Sequence, residues 1–157
     1  MSRDGRIPAD FAELEPVPVN GNGQPIFFEP PGLRVTVDKV VYYKDARTTS
    51  DRAHCFVYFI SIHNHTEQAV TIKGRKWVVT NERGKITAVE GEGVVGETPT
   101  IRPGESFSYN SYHLVDTETA VAEGSYLGVD AQGQFVLTRI PRFEMKVPLE
   151  NRAGSGN

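Results

Sequence analysis

Cysteine is almost missing from this chain: Cys55 is the only one in 157 residues. A single thiol closes no intrachain disulfide and rules out a Cys₂His₂-type zinc site. That usage fits a reducing compartment. Long apolar runs are missing as well. No stretch approaches the about 20 apolar residues of a membrane-crossing helix, so no membrane span is expected and the chain is not read as itself a membrane transporter. Met1-Ser2-Arg3-Asp4-Gly5-Arg6 is followed by no apolar run of secretory type. A cytoplasmic location is the expectation. Positive charge is not in excess either. The 17 Lys and Arg stand against 20 Asp and Glu, a net charge of -3, which argues against a nucleic-acid binder with a basic face.

What is present begins with glycine. Gly91, Gly93 and Gly96 spell G-x-G-x-x-G within Glu90-Gly91-Glu92-Gly93-Val94-Val95-Gly96-Glu97. In dinucleotide-binding proteins that string opens a helix whose free N–H groups hold a pyrophosphate. Here Pro99 and Pro103 follow, and no apolar residues recur at helical spacing. Glu90, Glu92 and Glu97 would repel a phosphate. The glycines are therefore read as serving backbone geometry in a strand-to-strand connection.

The chain length favours one domain with a real core. Residues 1–32 read as a Pro/Gly-rich arm. Six prolines preclude a continuous helix there, while Phe11, Leu14, Ile26, Phe27 and Phe28 offer docking groups. Residues 148–157 read as a flexible tail. Residues 33–147 read as short strands between turns. Leu33 to Tyr42 forms a strand pair or one bent strand. His54–Asn64 is the strongest strand and a central one, with Phe56, Tyr58, Ile60 and Ile62 alternating on one face. Val70–Thr80 and Lys85–Glu90 flank the turn Asn81-Glu82-Arg83-Gly84. Ser106–Leu114 follows Pro103-Gly104-Glu105. Gly124–Val129 and Gln134–Thr138 flank Asp130-Ala131-Gln132-Gly133, with Phe143, Met145 and Val147 as an extension. The pattern implies an all-β fold: an antiparallel immunoglobulin-like or fibronectin type III-like β-sandwich, with a closed barrel as the alternative.

Four segments carry a specific likeness. Gly74-Arg75-Lys76-Trp77-Val78-Val79-Thr80-Asn81-Glu82-Arg83-Gly84 resembles an R-H-W-x-I-T-D/N-x-x-G motif. Gly91 to Pro99 resembles G-x-G-V-V-G-x-x-P, Pro103 to Tyr109 resembles P-G-E-x-F-x-Y, and Ile140 to Phe143 resembles I-P-x-F. In this order and spacing they resemble the ApaG family over about residues 33 to 147. The resemblance implies a fibronectin type III-like sandwich and an association with cobalt resistance and magnesium efflux. It implies no established enzymatic activity, and it carries over no catalytic residues. Related eukaryotic domains look like interaction modules. Lys76 stands where the family commonly has His, so a metal or acid–base role does not transfer to it. Asp116 to Val121 lacks the family's usual Pro and Gly, so a loop of its own shape is expected there.

Candidate sites are few. His63 and His65 lie two apart, which on a strand puts both imidazoles on one face. A third metal ligand would have to come from His54, His113 or a carboxylate. The three glutamates of the glycine loop form no cage and read as a solvated acidic loop. Arg75, Lys76, Arg83 and Arg102 would make an anion patch beside Gly91, Gly93 and Gly96 if the hairpin gathered them. Arg75 and Lys76, being consecutive, cannot serve one patch. Trp77 reads as core, and Cys55 as a buried small residue rather than a nucleophile.

The expected function is a non-catalytic binding or protein-interaction module, without cofactor, linked by resemblance to Co²⁺ and Mg²⁺ homeostasis. A protein partner, a weak divalent cation or phosphate-type anion, and a homodimer are the expected associations. The alternative is a phosphate, pyrophosphate or nucleotide-binding protein using the Gly91–Gly96 loop as a nest of N–H groups.

Overall fold

β-Branched and aromatic residues alternating with polar ones dictate the architecture. The computed structural model describes residues 21–23, 26–44 and 54–152. In chain order its strands are β1 (Leu33–Tyr43), β2 (His54–Asn64), β3 (Val70–Asn81), β4 (Ile86–Glu92), β5 (Thr100–Ile101), β6 (Ser106–Val115), β7 (Thr119–Asp130) and β8 (Phe135–Lys146). A 3₁₀ turn, Leu149–Asn151, follows. The strands form two antiparallel sheets. One has three strands in the order β1-β2-β6. The other has five, in the order β4-β3-β7-β8 with β5 paired to the start of β3. The result is a β-sandwich rather than a closed barrel.

β2 is the middle strand of its sheet, as its two-faced apolar pattern predicts. Phe56, Tyr58, Ile60 and Ile62 all face inward and are buried. β1 is one bent strand, not a pair. Its register against β2 slips between Val37 and Lys39, and Asp38 at the slip accepts hydrogen bonds from Thr36 Oγ1 at 2.8 Å and Ser61 Oγ at 2.5 Å. Between the sheets lie Trp77, Tyr126, Phe56, Ile72 and Met145, each almost fully buried. Tyr109 of β6 and Tyr126 of β7 join their hydroxyls across the core, and burial pushes both phenols above their ordinary range.

One expectation is corrected here. The segment read as a loop from Asp116 to Val121 turns within three residues, and β7 starts at Thr119 rather than Gly124. Its first half presents Ala120 and Ala122 to the core, 3% and 0% exposed. Alanine has weak strand preference, and pairing on both sides with β3 and β8 overrides it.

The two lateral sides of the sandwich differ. On one side β1 packs against β8, with Thr138 Oγ1 donating to the Leu33 carbonyl at 2.9 Å. The chain before β1 reinforces that side. Phe28 pairs with Val136 in a parallel bridge, its N–H on the Phe135 carbonyl at 3.0 Å and its carbonyl accepting from Leu137 at 2.9 Å. Glu29 takes a two-pronged ion pair from Arg139 at 3.0 and 3.2 Å. The other side ends in β4 and β6, which make no comparable contact with each other.

Candidate functional site: the open seam between β4 and β6

The sandwich opens between these two unpaired edges into a cleft of about 350 Å³. Register explains its lining. Arg75, Trp77 and Val79 lie on the inward face of β3, and their β4 partners Gly91, Val89 and Thr87 lie on the same face. From the other sheet, Tyr58 of β2 stands opposite Ser111 of β6, with His113 next on the inward row. Lys85, Asn81 and Asp116 close one end.

An aromatic cluster forms the floor. The Trp77 ring lies 4.9 Å from Tyr58 and 4.6 Å from His113, edge-on to the imidazole, while Tyr58 and His113 lie 4.8 Å apart. Trp77 is 2% exposed. Its Nε1 and the Nε2 of His113 are buried with no hydrogen-bond partner. Burial pushes the Tyr58 phenol up, against the pull of Ser111 and of the indole N–H, which leans towards it without reaching hydrogen-bond geometry. Burial also drives His113 down to about 4, so its ring is uncharged at neutral pH. Above the floor, Val89, Tyr112 and Leu114 are 43%, 57% and 40% exposed, an apolar rim on both edges.

Arg75, named from the sequence as part of an anion patch, belongs to this site. Its Nη1 donates to the carbonyls of Glu92 and Gly93 at 3.1 and 3.0 Å. Gly91 makes room for it, since a Cβ there would sit 2.8 Å from the guanidinium. Gly93 and Gly96 lie just beyond, in a tight turn. Val94 and Glu97 exchange both backbone hydrogen bonds, at 2.7 and 2.9 Å, and the two residues between them, Val95 and Gly96, have φ of 44° and 82°. That is a two-residue hairpin with both central φ positive. The Gly93 N–H donates to the Lys73 carbonyl at 2.7 Å. The donors of Gly93, Val94 and Glu97 thus point at carbonyls of the protein itself.

The other candidates are scattered. Lys76 is on the opposite face of β3 from Arg75 and Trp77, as their consecutive positions require. Arg83 reaches Asp116 at 3.4 Å at the end of the seam, while Arg102 sits in the turn before β6, its N–H on Glu105 Oε1 at 3.1 Å. His63 and His65 do share a face: their rings stack 11° from parallel with centroids 6.1 Å apart. Both His63 nitrogens are engaged by hydroxyls, Nε2 with Thr36 at 2.9 Å and Nδ1 with Ser106 at 2.6 Å. His54 Nδ1 lies 3.2 Å from the Tyr42 hydroxyl, and His113 is in the seam. Among the described residues no three His, Cys, Asp or Glu side chains converge, and no helix is long and apolar enough to cross a membrane. Cys55 is buried, as expected.

Comparison with known proteins decides the family. The ApaG domain model matches residues 44–130. The chain is 38% identical over 115 residues to Protein ApaG of Shewanella pealeana, covering 73% of this chain and 91% of that protein. With Protein ApaG of Deinococcus radiodurans it shares 38% over 117 residues, covering 74% and 91%. The chain belongs to the ApaG family. The X-ray structure of a structural-genomics target superposes on this ApaG sandwich with a TM-score of 0.70 at 33% identity, covering 80% of this chain and 94% of that one. A Bordetella pertussis protein called ApaA does so with a TM-score of 0.68 at 27% identity, covering 77% and 98%.

Sequence reasoning named Arg75 and Trp77 but not their neighbours in the seam. Tyr58 and Lys85 carried no motif, and His113 was weighed only as a distant metal ligand. The order β1-β2-β6 puts Tyr58 beside Ser111, and nothing local announces it.

Proposed function

We propose that this ApaG-family protein is a non-catalytic cytoplasmic binding module. It engages a protein partner along the free edge of β6 and influences Co²⁺ and Mg²⁺ homeostasis through that partner. The observation that carries this reading is the chemistry of the edge strands. β1 carries Arg34, Asp38, Lys39 and a register slip, β4 carries Glu90 and Glu92, and β8 carries Pro141 with four charged residues from Arg139 to Lys146. Such groups deter pairing with a foreign strand. β6 reads Ser-Phe-Ser-Tyr-Asn-Ser-Tyr-His-Leu-Val, with no Lys, Arg, Asp, Glu or Pro and an unbroken register on β2. An extended partner segment adds to such an edge through main-chain hydrogen bonds.

The test is complementation. In cells lacking the gene, the intact protein restores tolerance to cobalt. Asn110→Lys, a charge on the exposed β6 edge, keeps the melting temperature and fails to restore it. Unchanged cobalt tolerance on deletion would sink the link to metal homeostasis. Full rescue by Asn110→Lys would sink the edge as the contact surface. A shift of the intact protein to a dimer that Asn110→Lys abolishes would make a second copy the partner.

A further inference from the structure

The seam beside that edge is lined by two cationic side chains, Arg75 and Lys85, and a single carboxylate. Trp77 Nε1, buried and unpartnered, can only donate. Arg75, two residues away on the same face of β3, binds only neutral carbonyls, and among the described residues it forms no ion pair. Lys85 stands at the end of the cleft with no ion pair of its own among them. The one carboxylate in the lining, Asp116, is already taken by Asn81 Nδ2 at 3.1 Å and Arg83 Nη2 at 3.4 Å. Between these groups the exposed walls are apolar: Val89, Tyr112 and Leu114. A guanidinium with no anionic partner among the described residues, set beside apolar walls, suits an anion that carries an apolar body.

We propose that the seam is a binding site for a small amphipathic organic carboxylate. Its apolar body lies against Val89, Tyr112 and Leu114, and the carboxylate accepts from Arg75. The volume is at the small end of ligand pockets, which suits a compact aromatic acid better than a nucleotide. A carboxylate matches a guanidinium fork, whereas an ammonium would meet the like charges of Arg75 and Lys85. The site requires no protein partner on β6 and stands or falls apart from that reading.

The chain holds one tryptophan, so a single indole N–H resonance reports on Trp77. The full-length ¹⁵N-labelled protein is titrated with 2-naphthoate and, separately, with 2-naphthylmethylammonium, which carries the opposite charge on the same ring system. The expected result is saturable movement of the indole resonance by naphthoate, with the ammonium analogue weaker by about tenfold or more. Arg75→Gln weakens naphthoate by a similar factor. Val89→Phe, which fills the seam from β4 without touching Arg75, abolishes the response. If Arg75→Gln fails to fold because the Glu92 and Gly93 carbonyls lose their donor, the two oppositely charged probes and Val89→Phe still decide. Equal response to the ammonium analogue, no saturable movement at millimolar naphthoate, or unaltered binding in Val89→Phe overturns the proposal.

Discussion

His113 shows at the residue scale how a buried side chain makes stability depend on pH. Its ring packs between Tyr58 and Trp77, and burial lowers its pKa from an ordinary 6.5 to about 4. Between those values the unfolded chain takes up a proton that the native chain refuses. The native state is therefore favoured above about 6.5 and loses this advantage as pH falls towards 4. The gap of about 2.5 units corresponds to a loss on the order of 3 kcal/mol. Urea unfolding of the intact protein should show that decline, and His113→Phe should flatten most of it. The carboxylates act in a separate window. Hydrogen bonds from Ser61 and Thr36 lower the pKa of Asp38, so its contribution fades only below about 3.8. A decline that persists unchanged in His113→Phe would show that another group is responsible.

At the scale of elements, the connection after β4 joins two backbone demands of opposite consequence. Gly93 has φ of 66°, and a Cβ there would meet the Glu97 carbonyl oxygen at 2.3 Å, a distance no real contact tolerates. Gly93→Val should cost about 2 kcal/mol or more in a thermal or urea melt. Val95 is the reverse case, a β-branched residue held at φ 44° before Gly96. Val95→Asn gives the pair that this turn prefers and should raise stability by up to about 1 kcal/mol. A gain at Gly93 or a loss at Val95 would refute the turn geometry. The glycine string itself was legible, and so was its structural use, because prolines and glutamates around it contradict a helix over a phosphate. β2, β3 and the turn at Asn81 to Gly84 were legible for a similar reason: large residues alternate and turn residues punctuate. The first half of β7 was not, since Ala120 and Ala122 advertise no strand. The seam was half legible. Trp77 and Arg75 sit in a recognisable segment, but Tyr58 and His113 join them only through the register of β2 on β6. That is a long-range fact with no local signature.

At the scale of the whole molecule, the two sides of the sandwich have different fates. The β1–β8 side is closed, and the β4–β6 side is open. The segment around Phe28 covers β8 only at Phe135 to Leu137, the stretch that carries no charge. Beyond it, Arg139, Pro141, Arg142, Glu144 and Lys146 guard the strand unaided. With Phe28 in place the described residues present one receptive edge, a valence of one, and a unit of valence one can form at most a pair. Removing residues 1–29 uncovers a second receptive edge on the far side. Two unlike ends make a link that joins head to tail, into a ring where the rotation closes and an open chain where it does not. The shortened protein should therefore grow with concentration in sedimentation velocity, and Asn110→Lys should return it to single units. A shortened protein that stays one size would deny Phe28 this role. On that account, a few residues ahead of the first strand decide whether the fold is a terminus or a monomer of a chain.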